Sequence, residues 1–372
     1  MKTLIITLEY PPTTGGIASY VYNFAAHLSA EETIVYAPQA KNSKEFDLKN
    51  NWKTFRLNPY FPFFWPRWLR LFWQIRTIVK KEKIAIIHVH HALPVGYVAY
   101  FIKKFYKIPF YIFLHGTDLE YAARAGSKIN KLAKICRFAD KIIVNSIFLK
   151  NKLLSKIENL ENIETIYPCP ADFFFSSVSE EELRILKAKL ALENKKVILT
   201  VARMSDGKGY PHLVRLLPKI LKKIPNLVWL IIGDGPKKNI ILEMIQKNNL
   251  QNAVRYLGEE SYADLPKYYQ LADLFALLTH KDESAEEGWG TVFLEAAASG
   301  VPVVAGRAGG VEETVENLVT GLLVDAYQDQ SVISAITDLL RESEFAKKMG
   351  QAGKERVLAE YTWEKQIMKL KI

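Results

Sequence analysis

Short runs rich in Val, Ile, Leu and aromatic residues alternate along the whole chain with segments of helical period, and no other feature restricts the fold as much. The pattern reads as α/β with parallel sheets, because a strand that returns parallel to its neighbour needs a crossover long enough to hold a helix. In the first half the expected strands are 2–8, 33–37, 84–90, 110–114, 140–145 and 163–167, with helices at roughly 17–29, 67–82, 94–105, 128–137 and 147–156. The second half repeats the scheme, with strands at 196–202, 228–233, 253–257, 273–278, 302–305 and 321–324. Its helices are expected near 180–190, 210–223, 236–248, 263–271, 291–299 and 328–341. At 372 residues the chain is too long for one core and suits two. Two prolines bracket Cys169 in YPCPADFFF (167–175) and place the hinge there. The expected domains are therefore 1–168, joined by a C-terminal helix at about 355–372, and 169–354. Two such doubly wound domains are expected to face each other across a cleft at their strand C-termini.

Composition removes several classes. With 49% hydrophobic and 24% charged residues the chain is neither disordered nor fibrous. No stretch reaches about 18 uninterrupted apolar residues, so no spanning helix is expected, and MKTLIITLEYPP reads as a first strand and its loop rather than a signal peptide. Two cysteines, Cys136 and Cys169, cannot build a disulfide framework and point to a reducing, cytoplasmic setting. The net charge of +10 is unevenly spread: residues 1–165 hold 24 Lys+Arg against 12 Asp+Glu, residues 166–372 hold 26 against 28. Residues 51–150 alone hold 18 against 4, which suggests an anionic partner for the first half only.

Four sequence stretches carry chemistry. Gly15 and Gly16 lie between the first strand and first helix, where backbone can approach a ligand and aim amides at an anion. His115 follows the strand FYIFL directly and so sits at a sheet's C-terminal edge. A zinc reading of the nearby His88 and His90 fails for want of a third ligand at suitable spacing. Arg203 and Lys208, five apart on a glycine-containing loop, suit a diphosphate. Most specific is Glu287-Gly288-Trp289-Gly290-Thr291-Val292-Phe293-Leu294-Glu295: a helix starting near Gly290 points amides and a positive dipole end outward, between two carboxylates suited to sugar hydroxyls. Paired glutamates also serve glycoside hydrolysis, but a hydrolase has no use for the Arg203/Lys208 loop.

With EYPPTTGGIASY, HGTD, VARMSDGKG, IIGDGP, YLGEES and EEGWGTVFLEAAASGVPVVAGRAGGVEETV in place, the chain resembles the family 4 glycosyltransferases of GT-B fold over nearly its whole length. It is most similar to the lipid-mannosylating branch, which includes phosphatidylinositol mannosyltransferases. The resemblance implies a nucleotide-sugar donor, retention of anomeric configuration, and mannose from GDP-mannose as the transferred hexose. It implies that Glu287 contacts donor-sugar hydroxyls and Glu295 the ribose. Arg203 and Lys208 would hold the diphosphate, Gly15 and Gly16 approach it, and His115 lies by the sugar. Gly288, Trp289, Gly290, Thr291 and Val292 would line the donor through the helix N-terminus. No aspartate-x-aspartate metal motif is present and two cations serve the phosphates, so no metal or other cofactor is expected. The chain departs from the family at the hinge, where CPADFF replaces asparagine-glycine-valine-aspartate with Asp172 at the aspartate's place, and in the acidic loop 279–286, whose Glu283 and Glu286 lie out of register with the pair.

The segment 60–83 carries eight aromatic residues with Arg67, Arg70, Arg76, Lys80, Lys81 and Lys83. On a helix from Pro66, Trp68, Phe72, Ile75 and Val79 form one stripe, and Arg67, Arg70, Gln74, Thr77 and Lys81 surround the other side. Covering the sheet explains Ile75, Ile78 and Val79, but not Phe61, Phe63, Phe64, Trp65 and Trp68 crowded before them. The expected partners are thus an anionic membrane surface, met peripherally on the inner face of the cytoplasmic membrane, and a glycan or lipid-linked acceptor. No nucleic acid is expected, since that reading would leave both glutamates and the cation pair idle. The alternatives are a soluble transferase of the glycogen or sucrose type and a GT-B nucleotide-sugar epimerase.

Overall fold

The computed structural model describes residues 1–61, 66, 68–124, 126–282 and 286–370. They form two compact units, Met1–Pro168 with Trp363–Ile372, and Cys169–Thr362. The first unit is built on a seven-stranded, all-parallel sheet of β1 (Thr3–Ile6), β2 (Thr33–Ala37), β3 (Lys53–Arg56), β4 (Ile86–Val89), β5 (Phe110–Leu114), β6 (Lys141–Val144) and β7 (Ile163–Thr165). Their order is β3-β2-β1-β4-β5-β6-β7, with Thr3 of β1 opposite both Thr33 of β2 and Ile86 of β4. The central strands are buried on both faces, which is why they read as continuous apolar runs rather than alternating ones.

The second unit repeats the plan with six parallel strands: β8 (Lys196–Val201), β9 (Leu227–Ile232), β10 (Val254–Gly258), β11 (Leu274–Leu277), β12 (Val303–Gly306) and β13 (Gly321–Val324), ordered β10-β9-β8-β11-β12-β13. In each sheet the strand order reverses once, between β1 and β4 and between β8 and β11. At such a reversal the connections leaving the two strands run to opposite sides, and the carboxyl edge there is where open α/β sheets hold ligands. All four expected motifs lie at these two switch points or beside them.

Several elements differ from the sequence expectation. β3 (KTFR) lies at the sheet edge and is only half-buried, so it has no apolar run to announce it. The short helices Ser43–Asp47, Thr117–Ala123 and Val311–Thr314 are too brief to show a period. The expected C-terminal helix 355–372 is two elements. Ser343–Glu360 belongs to the second unit, and the return to the first begins only at Trp363. The longer helix packs through its glycines: a Cβ on Gly350 would lie 2.2 Å from the Gly300 carbonyl oxygen, and one on Gly353 would lie 3.2 Å from Ala297 Cβ. After the crossing, Trp363 is buried edge-on to Tyr20, with ring centroids 5.2 Å apart.

The amphipathic segment is also corrected. Its helix runs Leu69–Glu82 and buries Leu71, Ile75, Ile78 and Val79, while Trp68 and Phe72 pack half-buried against the same core. Sheet covering therefore accounts for more of the stripe than the periodicity implied. What remains outside is Trp73, 50% exposed, with the Arg76 guanidinium 5.4 Å from its ring. The neighbouring helix Tyr97–Tyr106 adds Phe105, 60% exposed, at the end of a stack that runs through Phe101 to Trp68. Phe63, Phe64, Trp65 and Arg67 of this segment, and Glu283 of the acidic loop, lie outside the described residues.

Candidate active site

In the second unit the expected residues converge on the β8/β11 switch point. The loop leaving β8 carries Arg203, exposed, and Lys208, half-buried; it is tied to the loop leaving β11 by the His280 amide donating to the Gly207 carbonyl at 3.0 Å. Lys208 Nζ donates to Glu287 Oε2 in a close ion pair, so the diphosphate loop and the glutamate loop are one assembly. Arg203 pairs with no carboxylate among the described residues. One cation is thus committed to a carboxylate and the other is available to an incoming anion.

The glutamate loop is held by glycines that no other residue could replace. A Cβ on Gly309 would lie 2.0 Å from the Glu287 carbonyl oxygen, and one on Gly310 would lie 2.2 Å from that of Gly288. The Gly310 amide also donates to Glu287 O at 2.9 Å. The sequence AGGVEET therefore forms the floor beneath the loop. Gly290, at φ +86°, turns the chain into the helix Thr291–Ala298, whose N-terminus receives no side-chain cap from the described residues. Its first amides and the positive end of its dipole stay available to an anion. Trp289 is buried with its ring 5.7 Å from that of Tyr361, so what it offers at this loop is backbone.

Glu295, about a turn into that helix, is 4% exposed. The Tyr262 hydroxyl donates to Oε1 and the Tyr269 hydroxyl to Oε2, each at 3.0 Å. Burial pushes its carboxyl up to about 7, and the two phenol hydrogen bonds hold it from rising further. Sequence reasoning tied neither tyrosine to Glu295: they stand 33 and 26 residues away from it, with no motif joining them to it.

The first unit's site at the β1/β4 switch point is different in kind. Gly15 takes φ +152° and Gly16 opens the helix Gly16–Ala26, with free space where a Cβ on Gly16 would stand. His115 leaves β5 and its Nε2 lies 3.3 Å from His90 Nδ1, the rings stacked 5.5 Å apart. Burial, and then the nearby His91, bring His115 down to about 3, so it is a neutral imidazole. Asp118 accepts from the Ala92 amide at 2.8 Å and the His115 amide at 3.2 Å, and so pins the loops leaving β4 and β5 to each other. His88 is stacked on Tyr111 at 5.2 Å, and both of its ring nitrogens lack a partner among the described residues. Among the described residues no group of three or more His, Cys, Asp or Glu gathers as metal ligands would.

Comparison with known proteins agrees with this geometry. The family described as "Glycosyltransferase Family 4" matches residues 14–169, and "Glycosyl transferases group 1" matches residues 183–356. The chain is 27% identical to the GDP-mannose-dependent alpha-(1-6)-phosphatidylinositol monomannoside mannosyltransferase of Mycobacterium tuberculosis, over 99% of this chain and 97% of that one. It is 26% identical to the alpha-monoglucosyldiacylglycerol synthase of Acholeplasma laidlawii, over 82% of this chain and 80% of that one. Among solved structures, Anabaena HepE in complex with UDP-glucose superposes with a TM-score of 0.84 at 20% identity, over 100% of this chain and 99% of that one. With one family description on each unit and a site of the expected residues in the second, the chain belongs to the family 4 glycosyltransferases and has the GT-B fold.

Proposed function

We propose that this glycosyltransferase takes mannose from GDP-mannose and transfers it, with retention and without a metal ion, to a hydroxyl of a lipid-linked or glycan acceptor at an anionic membrane surface. The observation that carries the donor part is the second unit's assembly: an exposed guanidinium, a Lys208–Glu287 ion pair and an uncapped helix N-terminus on neighbouring loops. The bond between the sugar's anomeric carbon and the β-phosphate oxygen breaks, and charge collects on the departing diphosphate. Arg203, Lys208 and the amides of Gly290–Val292 are preorganised for that charge. Glu287 stays with the sugar hydroxyls, since a carboxylate against phosphate would repel it, and Lys208 bridges the two. The acceptor oxygen bonds to the anomeric carbon on the same face, and its proton passes to the leaving phosphate oxygen, which balances the reaction. Neutral His115 would supply an uncharged hydrogen bond to the sugar. Mannose rests on the similarity to the mannosyltransferases.

The membrane part is supported by Trp73 and Phe105, both exposed, beside Arg76, Lys80 and Lys104, in the stretch with the chain's strongest basic excess. Aromatic rings next to cations suit the headgroup boundary of anionic lipid. No helix among the described residues is long and apolar enough to cross a membrane, and the proposed association is peripheral, on the cytoplasmic face.

A thermal-shift series with GDP, UDP, ADP and CDP tests the donor. A nucleotide that binds only the folded protein raises the melting temperature, and GDP is expected to do so for the wild type and not for Arg203→Ala. Stabilisation by UDP alone would sink the mannose assignment, and stabilisation by none would sink the transferase mechanism. Activity lost to a chelator and restored by manganese would contradict the metal-free reaction. Transfer assayed with lipid-linked against water-soluble acceptors separates the two acceptor classes.

A further inference from the structure

We infer that Tyr262 and Tyr269 are positioning residues that lock the Glu295 carboxylate as a receptor for two adjacent hydroxyls, which makes the site selective for ribonucleotide over 2′-deoxyribonucleotide donors. This rests on the reading of the second unit as a nucleotide-sugar site, and it assigns work to two side chains that no motif marks.

A carboxylate has two oxygens and about four acceptor positions. Tyr262 occupies one position on Oε1 and Tyr269 one on Oε2, each at 3.0 Å. One donor on each oxygen fixes the plane of the carboxylate and leaves one acceptor position per oxygen, side by side. That is the pattern presented by the neighbouring 2′ and 3′ hydroxyls of a ribose. A single phenol would leave the group free to rotate and present its lone pairs in any direction. Tyr269 also lies 3.4 Å from the Val292 carbonyl oxygen, but the nearer, ionised acceptor takes its proton.

The tyrosines are themselves held. Phe174, fully buried, sits against both of them, at 5.4 Å from Tyr262 and 5.7 Å from Tyr269, and Phe173 meets Tyr262 edge-on at 5.3 Å. Both phenylalanines belong to the turn Asp172–Phe175, which directly follows the hinge residues 169–171 that depart from the family's pattern. The DFFF run therefore has a use: it braces the phenols that aim Glu295.

The phenols also favour the ionised form of the group. Buried this deeply, Glu295 is raised to about 7, and Tyr262 and Tyr269 are the two neighbours that lower it; Cys169 lies beyond Tyr262. Protonation would turn one acceptor oxygen into a donor and spoil the pattern, so ribose recognition strengthens as pH rises through about 7. Removing either phenol moves that midpoint upward.

The test is calorimetric binding of GDP and UDP, each beside its 2′-deoxy form, to wild type, Tyr262→Phe, Tyr269→Phe and Glu295→Gln between pH 6 and 8.5. The wild type is expected to prefer the ribose form of its nucleotide by about tenfold, the worth of one charge-assisted hydrogen bond. Each Phe variant should lose most of that preference and shift the binding midpoint to higher pH, while affinity for the deoxy form changes by less than about twofold. Glu295→Gln, which keeps the volume of the side chain, should lose both the preference and the pH dependence, so the inference stays open to refutation even if a Phe variant fails to fold. Phe variants that keep the full preference and the wild-type midpoint overturn the inference, as does a wild type with no preference at all. No binding of either nucleotide to the wild type overturns the transferase reading together with it.

Discussion

The two switch points present opposite chemistry, and they do so against the charge distribution of the chain. The first half carries the basic excess, 24 against 12, yet its sheet edge holds the stacked neutral rings of His90 and His115, with His88 buried deeper, inside β4. The second half is close to neutral, yet its sheet edge holds an exposed Arg203, the Lys208–Glu287 pair and the clamped Glu295. Net charge reports on outer helices, whose lysines and arginines are solvated; the sites are set by what each sheet edge buries. The diphosphate of the proposed donor needs fixed charge, and the second unit has the groups to supply it. The first unit keeps His88, His90 and His115 uncharged by burying them.

That contrast breaks most sharply if the charged edge proves dispensable. Lys208→Ala removes a cation from the proposed diphosphate site and leaves Glu287 half-buried without its partner; kcat/KM is expected to fall about 100-fold or more, since lost charged hydrogen bonds of roughly 1.5–3 kcal/mol each combine. His115→Gln, at the neutral edge, should cost only about tenfold, the loss of one uncharged hydrogen bond. Equal losses would show that the two edges are not different in kind. Circular dichroism of each variant checks that the fold survives.

The edges should also respond to pH with opposite sign. His88 falls to about 3 and His90 well below its ordinary 6.5 because burial penalises the imidazolium. Each is neutral when folded and free to protonate when unfolded, so the stability associated with it is present above pH 6.5 and is lost on acidification, at roughly 1.4 kcal/mol per histidine per pH unit. Glu295 is raised from 4.5 to about 7, so its contribution is present below pH 4.5 and is lost as pH rises through about 7. Scanning calorimetry from pH 7 to 5.5 is expected to show the first unit losing several degrees and the second holding or gaining. A common downward shift of both would erase the distinction.

Much of this was legible in the sequence. The buried parallel strands announce themselves as apolar runs, and the Glu287–Glu295 spacing is fixed by a loop and a helix start, both local features. The half-exposed edge strand KTFR carried no such signal. Tyr262 and Tyr269 were illegible for a deeper reason: they reach Glu295 only because one lies before and one within the helix Leu265–Leu271, which the fold packs beside Thr291–Ala298. Pairings of that kind belong to the sheet order, not to any window of sequence. The aromatic segment was half legible, since periodicity showed a stripe but not that Trp68 and Phe72 would be absorbed by the core while Trp73 stayed outside.

Smaller effects sharpen the comparison at its margins. Arg76→Glu with Lys80→Glu should lower flotation on anionic vesicles about tenfold or more, at roughly 1 kcal/mol per charge, and leave nucleotide binding in the second unit unchanged. Equal recovery on neutral and anionic vesicles by the wild type would remove the electrostatic element. His88→Phe replaces a buried ring whose nitrogens have no partner among the described residues by an apolar one of like shape. It should raise stability by about 1 kcal/mol and flatten the acid limb of the melting curve; an unchanged acid limb would mean that His88 does not titrate on unfolding.

The chain leaves the first unit at Pro168 and comes back to it at Trp363. During synthesis, then, the first unit begins early and finishes late: its final ten residues emerge only after all of Cys169–Thr362 has been made. Until they do, the faces of Tyr20 and His27 that Trp363 covers stand open to water and to other nascent chains. The first unit therefore stays unfinished throughout the synthesis of the second and is completed only when Trp363 docks. The unfinished domain is the half made first, and its open aromatic face is what a chaperone would meet.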